Sequence, residues 1–274
     1  MKRSSDIQWH PAFVEAIQLE LEDYKDSLEF IPEFQLTTGP LRIDCVVVKK
    51  ARDIVIGKNI AKTFREVNLL EYKSPGDYAS VGDFYKVYGY ACLYASLEKV
   101  PVTGLTISFI GSRRPRDLFD HFRTQRGYKV EEACPGIYTV KGDILPIQVI
   151  DNRLLPEGEN SWLRDLRSNL GPQDVRRLLD GIRRQGKAAK VKAYLDAIAR
   201  ANKDSVREAI KMGSTSLTFD EILEEAGLVA KWEERNSLKI ARNMVARGHS
   251  IEEIAASTEL DPEKVKKLYQ EYGD

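Results

Sequence analysis

Two short apolar segments, each interrupted by charge, constrain this chain more than anything else in it. Leu41-Arg42-Ile43-Asp44-Cys45-Val46-Val47-Val48 is rich in β-branched residues and reads as a strand. An acid in the middle of such a strand needs a cation or a hydrogen-bond donor to offset its desolvation. Val67-Asn68-Leu69-Leu70-Glu71-Tyr72-Lys73 repeats the pattern. Strand alternation puts Glu71 and Lys73 on one face, about 7 Å apart along the chain. A carboxylate beside a lysine can be a plain ion pair. Two carboxylates on neighbouring strands, with a lysine one pleat further on, make a place for Mg²⁺ and an attacking water.

The surrounding sequence supplies an α/β framework for those strands. His10-Pro11-Ala12-Phe13 opens a helix in which Phe13, Ala16, Ile17, Glu20, Leu21 and Tyr24 recur at helical spacing, so Glu20 falls on the apolar stripe. A strand over 28–36, a turn at Thr38-Gly39-Pro40 and the Asp44 strand follow, and residues 57–64 form an irregular or short helical insert. Ser74-Pro75-Gly76-Asp77 stops the Glu71 strand, and residues 77–97 read as a long helix. Residues 102–110 are almost continuously apolar, as a central strand requires, with Arg113-Arg114-Pro115-Arg116 at its carboxyl end. A helix over 117–125 leads to a small β unit, 136–140 and 145–150, about a turn at 141–143.

From residue 159 strand signals vanish, and helices are expected over 161–170, 173–184, 188–201 and 219–245. Ser250 and Asp261 are N-cap candidates, and Pro262 suits a first helical position, so 238–272 reads as short helices about a tight turn, either a helix-turn-helix that contacts DNA or, more commonly for such a pair, a packing hairpin. The expected division is an α/β catalytic domain over 1–158 and a helical accessory domain over 159–274.

Lys plus Arg and Asp plus Glu number 42 each, so no global field draws the chain to nucleic acid or to a membrane. Any polynucleotide contact must come from local charge separation. The three cysteines have no zinc spacing and form no disulfide framework, which points to a reducing, cytoplasmic setting. No apolar segment after the first residues resembles a signal, and none is long enough to span a bilayer. His10, His121 and His249 are scattered, against a histidine-built metal site.

Phosphodiester hydrolysis needs a hydroxide, neutralisation of charge on the phosphate, and help for the leaving oxygen. Asp44 and Glu71 are candidate Mg²⁺ ligands, with the Tyr72 carbonyl as a third. Lys73 would orient or help deprotonate the water, and Glu20 could add an outer carboxylate. The competing reading is a structural ion network without chemistry. For Glu20 it is a residue at the edge of the stripe; for Arg113, Arg114 and Arg116, a solvated loop instead of phosphate contacts. The basic run Arg183, Arg184, Lys187, Lys190, Lys192 is an exposed helix face or a track for a DNA backbone.

These features resemble the PD-(D/E)XK nuclease superfamily. More narrowly, Trp9-His10-Pro11-Ala12-Phe13, Pro40-Leu41-Arg42-Ile43-Asp44, Glu71-Tyr72-Lys73-Ser74-Pro75, Asp83-Phe84-Tyr85-Lys86-Val87 and Gly136-Ile137-Tyr138 are similar to bacterial recombination-promoting, transposase-associated nucleases. The resemblance implies a restriction-endonuclease-like αβββαβ core and a DNA endonuclease dependent on Mg²⁺, or Mn²⁺ in its place. Asp44, Glu71 and Lys73 would fill the motif positions, although Arg42-Ile43 precedes Asp44 where the motif has proline. The resemblance also implies a polar residue on the following helix, Lys86 or Tyr90, and a homodimer. Two other functions remain open at this point: a non-catalytic DNA-binding or assembly factor with the same fold, and a nuclease acting on RNA.

Overall fold

The computed structural model describes residues 7–36, 41–51, 53–186, 190–211, 224 and 229–272. The turn at Thr38-Gly39-Pro40, Lys187 and nearly all of 219–228 lie outside the described residues. The chain begins with α1 (Trp9–Glu20), β1 (Leu28–Gln35), β2 (Arg42–Lys49) and β3 (Val67–Lys73). It continues through α2 (Val81–Leu97), β4 (Leu105–Gly111), α3 (Arg116–Thr124), β5 (Lys129–Cys134), β6 (Ile137–Lys141) and β7 (Ile147–Asp151).

These strands form one mixed sheet of seven, ordered β1-β2-β3-β4-β7-β6-β5. The three central strands β3, β4 and β7 run parallel, and antiparallel pairs flank them. Parallel strands need both faces covered, and β4 and β7 are buried along their whole length, including the polar Thr106, Ser108, Gln148 and Asp151. The α/β expectation therefore holds, but the small β unit is not separate: β7 pairs with β4 and carries β6 and β5 onto the same sheet. On one face, Phe84, Val87, Ala91 and Tyr94 of α2 pack with Val46, Leu69, Ile107 and Val149. On the other, Phe13 of α1 stacks on Tyr72 with ring centroids 4.7 Å apart.

Beyond the sheet lie α4 (Glu157–Asp165), α5 (Pro172–Arg184), α6 (Lys192–Ala201) and α7 (Lys203–Lys211). The chain divides into two compact units, residues 1–182 with 193–213, and 183–192 with 214–274. The first unit thus runs past residue 158, where the sequence suggested a boundary, because polar side chains of the α/β region bind backbone there. Asn152 donates to the carbonyls of Leu163 and Leu166 at 2.9 and 3.1 Å, and Glu15 accepts from the amides of Ala193 and Tyr194 at 3.0 and 2.7 Å.

The second unit holds α8 (Val229–Val245), α9 (Ile251–Thr258) and α10 (Pro262–Tyr272) around Ala241, Val245, Ile254, Leu260, Val265 and Leu268. Ser250 and Glu253 form a capping box at the start of α9. The Asp261 carboxylate accepts the Glu263 amide at 2.8 Å, so both expected caps are present. No helix among the described residues is long and apolar enough to cross a membrane.

Candidate active site

Register brings the two strand acids together. Cys45 pairs with Leu70 across β2 and β3, so the next pair outward sets Asp44 opposite Glu71. Directly opposed residues have Cβ atoms about 4.5–5.5 Å apart, and like charges so placed repel. Glu71 is only 3 % exposed. Burial raises its pKa, the Asp44 charge adds to the rise, and Lys86 and Lys73 oppose it. Asp44 is fixed from two sides: Oδ2 accepts the Tyr72 amide at 2.8 Å and lies 3.3 Å from His10 Nδ1. That contact raises the His10 pKa against the opposing effect of burial.

The lysines come from the end of β3 and the first turns of α2. Lys73 Nζ lies 2.7 Å from Asp83 Oδ1 and 3.3 Å from Glu71 Oε1, and Lys86 Nζ lies 2.7 Å from the same Glu71 oxygen. Asp83 stands where it does because Ser80-Val81-Gly82-Asp83 is a capping box. The Ser80 hydroxyl accepts the Asp83 amide, and the Asp83 carboxylate accepts the Ser80 amide. Burial alone would raise the Asp83 pKa, but the hydrogen bonds from Lys73 and Ser80 outweigh it and hold the carboxyl at about 2. Lys73 is the converse: burial would lower its pKa, and Asp83 with Glu71 overcomes that and keeps the ammonium charged. A lysine so held orients and stabilises negative oxygens and is poorly suited to take a proton.

The structure gathers Asp44, Glu71 and Lys73, with the Tyr72 backbone between the last two. It does not bring Glu20 to them. Ten residues separate Glu20 from His10, about 15 Å along the axis of α1. Glu20 instead accepts the Leu163 amide at 3.0 Å and lies 3.4 Å from Lys58, a link between α1 and α4. Helical phase gave its burial correctly and its neighbours wrongly. Between Lys86 and Tyr90, the structure puts Lys86 on Glu71, while Tyr90 is buried with its ring 5.9 Å from the Lys86 ammonium. Arg113, Arg114 and Arg116 are exposed at the carboxyl end of β4.

Sequence reasoning gave Asp83 and His10 no role of their own beyond the motifs that contain them, and did not name Arg153. Asp83 was legible as the fourth residue of a capping box before an apolar helix. A lone His10 beside Pro11 carries no such signal, and Arg153 joins the site's surroundings only through the pairing of β7 with β4.

The donor set suits a hard cation. Among the described residues no group of three or more His, Cys, Asp or Glu side chains could hold a metal ion. Mg²⁺ commonly takes one or two carboxylates and fills its octahedron with water, so Asp44 and Glu71 fit that habit. No family model, curated protein or solved structure matches the chain.

Proposed function

We propose that this chain is a metal-dependent nuclease with a restriction-endonuclease-like αβββαβ core, hydrolysing DNA phosphodiester bonds. The observation that carries the reading is Asp44 opposite Glu71 on adjacent strands, with Lys73 one pleat further on and held charged by Asp83. Asp44 and Glu71 would hold Mg²⁺ or Mn²⁺, which supplies positive charge for the phosphate and makes water acidic enough to attack at neutral pH. The Tyr72 amide and His10 keep Asp44 in place. The Lys73 ammonium orients the nucleophile and stabilises the charge that builds on the phosphate. Lys86, exposed and resting on Glu71, offsets that carboxylate's charge and has the reach to meet a phosphate oxygen.

The test is cleavage of supercoiled plasmid by wild type, Asp44→Ala and Lys73→Ala, with Mg²⁺, with Mn²⁺ and with EDTA. Metal-dependent nicking is expected, reduced at least about 100-fold in either variant while DNA binding survives. One observation favours a second reading: both lysines are already paired to Glu71 and Asp83, as in an inert network. A DNA-binding or assembly factor of that kind would retard DNA and cut nothing. Parallel digestion of single- and double-stranded DNA and RNA separates the RNA-directed alternative.

A further inference from the structure

The turns after β4 and β7 lie side by side, because Gly111 is in register with Asp151 on parallel strands. The buried Ser112 hydroxyl donates to the Asn152 side-chain oxygen at 3.0 Å, pinning one turn to the other. Each turn delivers an arginine, Arg113 from the first and Arg153 from the second. With Arg114, and with Arg116 and Arg123 from α3, they line a cavity of about 560 Å³ whose other walls are Phe119 and Asp120.

Two of the five guanidiniums are already compensated. Arg153 binds both oxygens of Asp151, at 3.0 and 2.8 Å, and Arg123 lies 3.5 Å from Asp120. Arg113, Arg114 and Arg116 make no ion pair among the described residues. The Arg114 guanidinium lies 5.0 Å from the Tyr138 ring centre and 5.5 Å from that of Phe119, which fixes its direction and leaves its charge uncompensated. Three such groups around one hollow, in a chain of zero formal net charge, repel one another unless an anion enters. Guanidinium forks match the oxygens of phosphate, and the volume suffices for a nucleotide-sized group.

The cavity adjoins the acids' site. Arg113 also lines a small recess with Lys73, Gly111 and Pro115. Gly111 itself is in register with Lys73, and a Cβ there would lie 3.2 Å from the Lys73 Cβ. One to two strand spacings separate β3 from the strands that carry the arginines, about 5–10 Å.

The geometry points to a phosphate-binding subsite, in which this cavity takes a second phosphate of the polynucleotide strand that lies across Asp44 and Glu71. The inference rests on the nuclease reading for its substrate class, and it concerns binding, so it is tested without cleavage. An interior phosphodiester and a terminal phosphate present the same oxygens, and substrate choice distinguishes them.

Fluorescence anisotropy in EDTA compares wild type with the double variant Arg113→Gln, Arg116→Gln. The probes are labelled DNA oligonucleotides bearing a 5′-phosphate, a 3′-phosphate or neither. Both arginines are exposed, so the variant should match wild type in circular dichroism and thermal midpoint. Binding is expected to weaken about tenfold, with a salt dependence shallower by about 1–2 in log–log slope. An equal loss on all three probes assigns an interior phosphate, and a loss confined to one phosphorylated probe assigns that terminus. Unchanged affinity in the variant, or no binding by wild type, overturns the subsite. Arginine-dependent binding by a wild type that cuts nothing in either Mg²⁺ or Mn²⁺ would sink the nuclease reading and keep the subsite. Cleavage with full affinity in the variant would do the reverse.

Discussion

Asp83 closes the first turn of α2 and holds Lys73, so its loss is felt twice. Asp83→Ala is expected to destabilise the protein by about 1–2 kcal/mol and to lower cleavage more than that loss of stability explains. Urea titration beside the plasmid assay reads both. Because its folded pKa is about 2, below the ordinary 3.8, its contribution is present above about pH 4 and fades as pH falls towards 2. Asp165 has the opposite sign. Burial raises it from 3.8 to about 6 against the pull of Arg164, Arg177 and Arg167, and its Oδ1 has no hydrogen-bond partner. Such a rise corresponds to roughly 3 kcal/mol of destabilisation at neutral pH, absent below about pH 4, growing between about pH 4 and 6, and constant above that. Asp165→Asn should therefore stabilise the protein at pH 8 and change little at pH 4, and equal effects at the two pH values would refute the assignment.

At the scale of elements, the turn between β5 and β6 depends on Gly136. Its φ is +79°, and a Cβ there would meet the Asp151 carbonyl oxygen at 2.6 Å. Gly136→Ala is expected to cost about 2–4 kcal/mol, seen as a fall in thermal midpoint. The central strands and α2 were legible because β4 is dominated by apolar residues, β7 carries Ile147, Val149 and Ile150, and α2 shows a clear buried stripe. β5 was not, because Lys129-Val130-Glu131-Glu132-Ala133-Cys134 is an edge strand with little burial on either face and hence no alternation to read. In the site, Asp44 and Glu71 announced themselves as acids in apolar strands. Periodicity could not say which face of the sheet α1 would cover, so the place of Glu20 was out of reach. Nor could it foresee that β7 would pair with β4 and bring Arg153 beside Arg113.

Across the whole molecule, equal numbers of acidic and basic residues conceal a local excess of arginine beyond β4. If the chain acts on DNA as proposed, that association should be strongly salt-dependent although the net charge is zero, which anisotropy titrations across a range of salt would read. The division into two compact units carries its own expectation. A chain ended after residue 213 should retain cleavage, because every residue assigned to the site lies in the first unit. Loss of cooperative unfolding in that shortened chain would contradict the division. The segment from Lys73 to Asp83 is a closed ring, covalent along the backbone and completed by a 2.7 Å ion pair. Surface loops ordinarily accept insertions or new termini. A circular permutant opened between residues 74 and 79 would break this ring and should lose activity before it loses its sheet.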